Sequence, residues 1–276
     1  MERRRVWSFP VPEGFYSSSI SVNERGVANV RCVDYFIEPN GGYCHFKGRV
    51  VTRNFQSHYD FWRKFHGFFE VIPAKKPTHE SWCHGLEDIR LGNDGRFTAT
   101  TLQWQYDGQS ETANRLAVGW YPELAFDVIR PPTETWCEKN WLPLPNGNLI
   151  HRWQPLEIGS VVEGALVIHT TYSTPAWWRH LRGSAPPFEV QGRKLCLTHL
   201  VTDSAPRQYL SVLIELEPAT LRPMKASLPF IFFGDIEYCL SAVCRRDEIH
   251  FFVSHWDRES FVVVTPLACM PELYPI

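Results

Sequence analysis

The sequence predicts an all-β fold, and more specifically a five-bladed β-propeller that takes up residues 1–276 as a single domain. Long amphipathic helices are hard to find, and short runs of Val, Ile, Thr and aromatic residues are divided by 21 Pro and 17 Gly. A weak internal repeat then distinguishes a propeller from other all-β folds. A chain of 276 residues can bury a large core undivided.

The repeat is a polar turn that leads into an extended run ending near an aromatic residue or a histidine. In chain order, turn and run occupy residues 23–26 and 27–31, 93–95 and 97–104, 145–147 and 149–153, 191–192 and 195–199, and 245–247 and 249–256. The turns end 69, 52, 45 and 55 residues apart, close to the roughly 40–50 residues of one four-stranded blade. Each turn is therefore predicted to join the two inner strands of a blade. The best helical candidate, residues 59–66, is short and rich in aromatic residues.

Polar clusters lie just before four of the five turns. They contain these charged residues: Glu87, Asp88, Arg90, Glu138, Lys139, Arg182, Asp235 and Glu237. On innermost strands they would converge on the central axis at one end, whereas a plain β-sandwich gives no reason for a charged cluster before each hairpin. The sequence thus predicts a functional site at one end of the axis.

Carboxylates that meet in an aromatic-lined funnel suit glycosyl chemistry, in which one acid moves a proton at the reacting oxygen and others stabilise an oxocarbenium-like centre. We expect Asp88, Glu138 and Glu237 to be the catalytic acids, although inner-strand salt bridges explain the last two equally well. Fixed positive charge from Arg90, Lys139 and Arg182 would suit a leaving phosphate or diphosphate.

Further residues are expected to bind substrate, each with a structural alternative. Glu87 would bind a sugar hydroxyl or brace the neighbouring blade through Arg90. His84 would adjust the protonation of the acids, bind a hydroxyl, or form a buried hydrogen bond. Asp34 would contribute from the first repeat, and Trp153 would be a sugar platform or a core residue. No metal site is assigned, but a divalent ion held by His84, Glu87 and Asp88 stays an alternative.

Composition excludes several classes of protein. A net charge of -2 and a pI near 6.6 argue against a nucleic-acid binder, and no stretch reaches the roughly 18 apolar residues of a membrane span. The eight cysteines form no C-x-x-C pair, which favours reduced thiols in a soluble, cytoplasmic protein. The sequence has no Asp-x-Asp motif, no Gly-rich strand-to-helix loop and no alternating βα pattern, so the usual nucleotide-sugar transferase folds are unsuitable.

The segment Gly85-Leu86-Glu87-Asp88-Ile89-Arg90 resembles the Gly-x-Glu-Asp-Pro-Arg signature of the five-bladed propeller glycosidases and mannoside phosphorylases, with Ile89 in place of proline. From Tyr16 to Phe261 the chain is also similar to a family of propeller-like proteins of large DNA viruses and bacteria that are assigned as glycosyltransferases. The matching segments are residues 29–35, 137–141, 182–184 and 236–239. The first resemblance implies that Asp88 is the proton donor.

The expected function is transfer of a sugar from a sugar nucleotide or sugar phosphate donor to a glycan acceptor, in host cytoplasm if the protein is viral. A glycoside hydrolase or phosphorylase, and a non-catalytic propeller that binds glycans, are the alternatives. No cofactor beyond the activated donor is required, although a divalent metal fits the same chemistry.

Overall fold

In a computed structural model of the chain, residues 2–5, 10–44, 50–62, 64–73, 83–104, 112–133 and 135–276 are described. Within these ranges, only the backbone is described for residues 2–5, 83–84, 102–104 and 112. The side chain of His84 therefore lies outside the described part of the structure.

Five sheets form the five blades of a β-propeller, as the sequence predicted, and their consecutive strands pair antiparallel. An outer strand, β1 (Glu2–Arg5), comes first. Blade 1 and its insertions contain β2 (Tyr16–Val22), β3 (Val27–Val33), β4 (Phe36–Ile37), β5 (Tyr43–Cys44), β6 (Val50–Tyr59), β7 (Phe65–Val71) and β8 (Cys83–His84). In blade 1 the short strand β8 also pairs with β6, in parallel. Blade 2 contains β9 (Glu87–Leu91), β10 (Arg96–Trp104), β11 (Thr112–Trp120) and β12 (Ala125–Ile129). Blade 3 contains β13 (Leu142–Pro143), β14 (Asn148–Trp153), β15 (Leu156–Val162) and β16 (Ala165–Tyr172).

Blade 4 contains β17 (Arg182–Val190), β18 (Arg193–Val201), β19 (Tyr209–Leu216) and β20 (Pro223–Ser227). Blade 5 contains β21 (Glu237–Arg245), β22 (Glu248–His255) and β23 (Glu259–Pro266), and a last strand, β24 (Leu273–Pro275), follows it. Three short 3-10 turns occupy Pro145–Gly147, Ala176–His180 and Leu267–Cys269. Among the described residues, no helix has the length and apolar character needed to cross a membrane.

All five predicted turns join the two innermost strands of a blade, so the repeat was interpreted correctly. The best helical candidate in the sequence, residues 59–66, is not a helix. There β6 ends at Tyr59 and β7 begins at Phe65, so the segment is a hairpin. The side chain of Asp60 accepts hydrogen bonds from the backbone N–H groups of Trp62 and Lys64, and this stabilises a turn instead of a helix.

One strand near each end of the described chain adds to a blade whose other strands come from elsewhere in the sequence. Strand β1 pairs antiparallel with β23 and supplies the outer strand of blade 5, which closes the ring. Strand β24 pairs antiparallel with β20 and becomes a fifth strand of blade 4. Neither pairing is visible in the repeat, because each involves strands that are distant in sequence.

Apolar layers fill the spaces between neighbouring blades. One layer between blades 3 and 4 packs Trp153 against Trp178, and another between blades 5 and 1 contains Phe55 and Phe252. Removing these side chains from water is the main favourable contribution to folding. The layers leave the starts of the inner strands free to carry polar side chains.

The two ends of the propeller axis are chemically different. At the upper end, as we define it, the inner strands begin and the second strand of each blade turns into the third. At the lower end lie the five inner hairpin turns. The polar clusters before the turns therefore lie at the upper end.

Candidate active site

A cavity of about 160 Å³ opens at the upper end of the axis, and all five blades or their connections contribute to it. Its polar and aromatic lining residues are Arg31, Tyr35, Tyr43, Glu87, Asp88, Lys139, Asn140, Arg182, His199, Arg207, Tyr209, Glu237, Tyr238, Ser254 and Asp257. The sequence-predicted residues Glu87, Asp88, Lys139, Arg182 and Glu237 are thus brought together from four separate segments.

The guanidinium of Arg31 forms the floor of the cavity. Arg31 is only 2% exposed; its Nη1 donates to Asp88 Oδ1 at 3.1 Å and its Nη2 donates to Glu87 Oε1 at 3.0 Å. Because one planar cation holds both acids, their side chains are fixed side by side. The second oxygen of each carboxylate has no bond to the rest of the described chain.

The backbone conformation at Asp88 is unusual for a residue other than glycine, with φ of +54°. The chain reaches this turn through Gly85, at φ +96°, where an added Cβ would collide with the carbonyl oxygen of Thr52. Glycine is therefore required at position 85, and a left-handed aspartate follows three residues later. Such conformations concentrate at functional sites, because the surrounding structure must hold them in place.

Asp257 is a third carboxylate at the floor, and the sequence analysis did not select it. It lies in the tight turn between β22 and β23 at φ +50°, accepts a hydrogen bond from Ser18 Oγ at 2.9 Å, and accepts another from the Tyr35 hydroxyl at 3.3 Å. Both of its oxygens are thus engaged by blade 1. Asp257 completes the acidic floor while it links blade 5 to blade 1.

Burial changes the pKa values of the charged side chains at the floor of the cavity. Burial raises the pKa of Glu87, an effect that Arg31 opposes and Asp88 reinforces. Burial likewise raises the pKa of Asp257. For Arg31, burial alone would lower the pKa, but Tyr35 and the surrounding carboxylates raise it well above its ordinary value, so the guanidinium stays charged. The site therefore combines a permanent cation with two acids, Glu87 and Asp257, whose pKa values burial raises.

Three cationic side chains surround one side of the mouth. Lys139 comes from the connection before blade 3, Arg182 from the start of β17, and Arg207 from the loop between β18 and β19. All three are exposed, and none forms an ion pair with another described residue. This unpaired positive charge is available to an anionic ligand.

The inserted hairpin of β4 and β5 also borders the mouth. The Ile37 backbone N–H donates to the carbonyl of Trp256 at 2.8 Å, which attaches the hairpin to blade 5. Tyr43, 61% exposed, extends from this hairpin and packs against Tyr35 with ring centroids 5.4 Å apart. The mouth therefore offers an aromatic surface as well as cations.

His199 is a buried, neutral part of the wall. Its Nδ1 is 2.7 Å from Ser184 Oγ, and its ring stacks on Tyr209 and meets Tyr238 edge-on. Burial, reinforced by Arg90, Arg182 and Lys139, lowers the pKa of His199 well below its ordinary value. The imidazole can therefore exchange hydrogen bonds but carries no charge at neutral pH.

Arg90 lies beneath the cavity and does not face it. It is fully buried; Nε donates to the carbonyl of Ser184 at 2.9 Å, Nη2 donates to Asn140 Oδ1 at 2.9 Å, and Nη2 also contacts the Tyr238 hydroxyl. Burial lowers its pKa to about 10, which leaves it charged at neutral pH. Arg90 holds blades 2 to 5 together instead of offering an open phosphate contact.

Two acids that were expected to be catalytic, Glu138 and Glu237, use their carboxylates in hydrogen bonds within the protein. Glu138 is outside the cavity lining, and its carboxylate accepts hydrogen bonds from Thr135 Oγ1 at 2.6 Å and Trp141 Nε1 at 3.0 Å. Glu237 borders the cavity, but its two oxygens accept bonds from the backbone N–H groups of residues 232–234. These contacts give both acids a structural part in shaping loops.

Two predicted substrate contacts also lie away from the cavity. Asp34 Oδ1 accepts a hydrogen bond from the backbone N–H of Val51 at 2.9 Å, and Trp153 is only 2% exposed in the core between blades 3 and 4. Conversely, the sequence analysis missed Arg31, Asp257 and Arg207 as site residues. Arg31 lies within the 29–35 segment that carried the family resemblance and ends the first extended run of the repeat, residues 27–31.

The described side chains contain no group of three or more His, Cys, Asp or Glu residues placed to hold a metal ion. The alternative in which His84 joins Glu87 and Asp88 around a metal involves a side chain outside the described part of the structure. The site is therefore interpreted through its acids and cations.

Comparison with known proteins gives structural neighbours only, since no family model matches the chain and no curated protein matches its sequence. A β-1,2-mannobiose phosphorylase from Listeria innocua has a TM-score of 0.61 and 14% identity, covering 97% of this chain and 98% of that chain. A GDP-mannose-dependent mannosyltransferase from Leishmania mexicana has a TM-score of 0.57 and 11% identity, with coverages of 100% and 94%. A mannose phosphorylase from the same organism, solved with a phosphate ion, has a TM-score of 0.53 and 13% identity, with coverages of 92% and 85%. The resemblance to five-bladed propeller phosphorylases and glycosidases is thus confirmed at the level of the fold.

Proposed function

We propose that the axial cavity is the active site of a carbohydrate-active enzyme that transfers a glycosyl group from a phosphate-bearing donor, a sugar nucleotide or sugar phosphate, to a glycan acceptor. The observation that carries this proposal is the composition of one cavity: the Glu87–Asp88 pair on Arg31 at the floor, and Lys139, Arg182 and Arg207 unpaired at the mouth. Simple hydrolysis would need the acids but gives no reason for the cations. The structural neighbours, which include mannoside phosphorylases and a mannosyltransferase, support the same chemistry.

In the proposed reaction, an acceptor hydroxyl oxygen forms a bond to the anomeric carbon while the bond from that carbon to the donor phosphate oxygen breaks. The electron pair of the broken bond leaves on the phosphate, which the three cations receive. The hydroxyl proton passes to Asp88, whose Oδ1 is held by Arg31 and whose Oδ2 has no partner in the described chain. Glu87, held by the same guanidinium, positions a sugar hydroxyl.

Phosphorolysis is the second candidate, and the structural neighbours that are mannoside phosphorylases favour it. In this direction inorganic phosphate attacks the anomeric carbon, the glycosidic bond breaks, and the protonated Asp88 gives its proton to the departing oxygen.

The first test compares Asp88→Asn with the wild type in assays of transfer and of phosphorolysis on mannosides. We expect the substitution to lower kcat by about 10²–10⁴-fold, because the amide cannot accept or deliver the proton, while sugar binding persists. Asp247→Asn is the matched control, since Asp247 is exposed in an inner hairpin turn at the lower end. Equal activity of Asp88→Asn and wild type would contradict the role of Asp88.

Thermal shifts then separate the two reactions. A higher Tm with nucleoside diphosphates supports transfer, and a higher Tm with inorganic phosphate alone supports phosphorolysis, because a ligand that binds the folded state stabilises it. If neither raises Tm and no turnover occurs, the proposed function is wrong.

A further inference from the structure

A second and larger cavity lies between blades 2 and 3, away from the axis. Its volume is about 640 Å³, and blade 2 contributes the ends of β10, β11 and β12 while blade 3 contributes its inner turn and β15. The lining residues on which its chemistry depends are Arg96, Trp120, Asp127, Asn146, Gly147 and Ser160. None of them lines the axial cavity. We call this cavity the interblade cleft.

The strand register places the interblade cleft at the lower end of the propeller. Glu87 begins β9 at the upper end, β10 starts after the inner turn at the lower end, and Arg96 pairs with Trp120 at the far end of β11. Asn146 and Gly147 belong to the inner turn of blade 3, which is also at the lower end. A ligand in the cleft is therefore separated from the axial acids by the length of an inner strand.

Trp120 provides a fixed aromatic surface in the cleft. The residue is 51% exposed, and the Arg96 guanidinium lies over its ring at 5.1 Å from the centroid. The guanidinium is confined in turn, because a Cβ at Gly147, where φ is +77°, would collide with it. Because Arg96 already restrains the indole of Trp120, a flat apolar face of a ligand can pack on its exposed part with little further loss of side-chain entropy.

Polar groups border this surface. The side-chain amide of Asn146, at φ +62°, extends from the turn tip and has no hydrogen-bond partner in the described chain. The Ser160 hydroxyl lies on β15 of blade 3, and the exposed Asp127 carboxylate lies on β12 of blade 2. A ligand that suits this wall must present an apolar face and several hydroxyl groups together.

We propose that the interblade cleft is a carbohydrate-binding site, distinct from the axial cavity, in which a sugar ring packs on Trp120 and its hydroxyls bond to Asn146 and Ser160. One arginine that is already stacked on an indole offers too little positive charge for a nucleic acid backbone. The polar border is equally unsuitable for a lipid chain. A glycan held here would remain attached to the protein while a different part of it, or another chain, occupied the axial cavity.

Affinity gel electrophoresis in mannan, xylan and starch tests the proposal with the full-length protein. We expect at least one polysaccharide to retard the wild type, and Trp120→Ala to weaken that retardation by about tenfold through loss of the aromatic contact. Asn146→Gly, which keeps the left-handed turn and removes the amide, should weaken it by about 2- to 10-fold. Circular dichroism confirms that each variant is folded, and the glycine variant keeps the test valid if the alanine variant unfolds.

Trp62→Ala is the matched control, because Trp62 is 69% exposed and lies under the guanidinium of Arg246 at 4.7 Å, yet lines neither cavity. We expect its retardation to equal that of the wild type. The inference is overturned if no polysaccharide retards the wild type, or if the two tryptophan variants behave alike. Retardation of a protein that shows no turnover would separate this site from the proposed enzymatic function.

Discussion

At the scale of single residues, the acids near the axis differ in how many of their oxygens the protein already occupies. Asp257 and Glu237 have both carboxylate oxygens bonded, whereas Asp88 and Glu87 each have one oxygen on Arg31 and one open to the cavity. An acid whose oxygens are all bonded to the protein stabilises structure, and one with a free oxygen can meet a substrate. The sequence presents all four in similar polar clusters and turns, so it could not separate these roles.

The side chains of two consecutive residues, Glu138 and Lys139, point to different parts of the protein. Glu138 turns toward Trp141 in the core, while the next residue, Lys139, lines the cavity. Nothing in the local sequence distinguishes them, because both are charged and both precede the same short strand. The sequence thus predicted the location of the cluster but not which of its members would face the substrate.

The first prediction at this scale concerns His199 and pH. The pKa of His199 lies well below its ordinary value of 6.5. Below pH 6.5 this histidine therefore binds a proton in the unfolded chain but not in the folded protein. The unfolded state then binds more protons below pH 6.5, so the free energy of unfolding falls as pH decreases from that value toward the folded pKa, and the loss is absent above it.

His199→Asn, which keeps a polar atom near Ser184, should remove this dependence. Between about pH 7.5 and about pH 5.5, its free energy of unfolding should fall by roughly 1.4 kcal/mol less than that of the wild type, measured by urea denaturation. His180→Asn changes an exposed histidine and should retain the wild-type dependence. Parallel curves for wild type and His199→Asn would show that His199 is not kept neutral.

At the scale of elements, serine hydroxyls join neighbouring inner strands. The Val22 N–H of blade 1 donates to Ser241 Oγ of blade 5 at 2.7 Å, and the Leu91 N–H of blade 2 donates to Ser21 Oγ of blade 1 at 3.0 Å. Inner strands of different blades have no continuous hydrogen-bond ladder between them. These hydroxyls therefore satisfy buried backbone donors at the seams.

Replacing such a serine with alanine leaves a buried N–H without a partner. We expect Ser241→Ala and Ser21→Ala each to lower the free energy of unfolding by about 1–3 kcal/mol, measured by urea denaturation. Ser173→Ala, at an exposed position, should change it by less than about 0.5 kcal/mol. If the seam variants are as stable as Ser173→Ala, the hydroxyls do not contribute as argued.

The sequence predicted some elements well and missed others for a physical reason. The inner hairpins were predictable because a polar turn between alternating runs is a local signal. The ring closure by β1, the added strand β24 and the β4–β5 hairpin were not predicted. The first two depend on pairing between distant segments, and the hairpin has only two residues in each strand, too few for a periodic pattern.

At the scale of the whole molecule, the active site depends on blades being held at fixed positions around the axis. Each blade contributes only a few side chains to the cavity, so no blade forms the site alone. The proposed cationic side combines Lys139 before blade 3 with Arg182 and Arg207 of blade 4. Relative movement of the blades would separate these charges from the acids at the floor.

Arg90 is the side chain that most directly opposes such movement. From β9 it reaches the Ser184 carbonyl of blade 4 through Nε and the Asn140 side chain before blade 3 through Nη2. A lysine carries its donors at one atom and cannot reach both acceptors, so Arg90→Lys leaves buried acceptors unsatisfied. The same burial that lowers the pKa of Arg90 to about 10 would also favour loss of the lysine charge.

We therefore expect Arg90→Lys to lower the free energy of unfolding by about 2–4 kcal/mol in urea denaturation, and to lower turnover although the residue does not touch substrate. Arg222→Lys, at an exposed position, is the matched control and should change stability by less than about 0.5 kcal/mol. If Arg90→Lys matched the control in both stability and turnover, the blades would have to be fixed by their apolar layers alone.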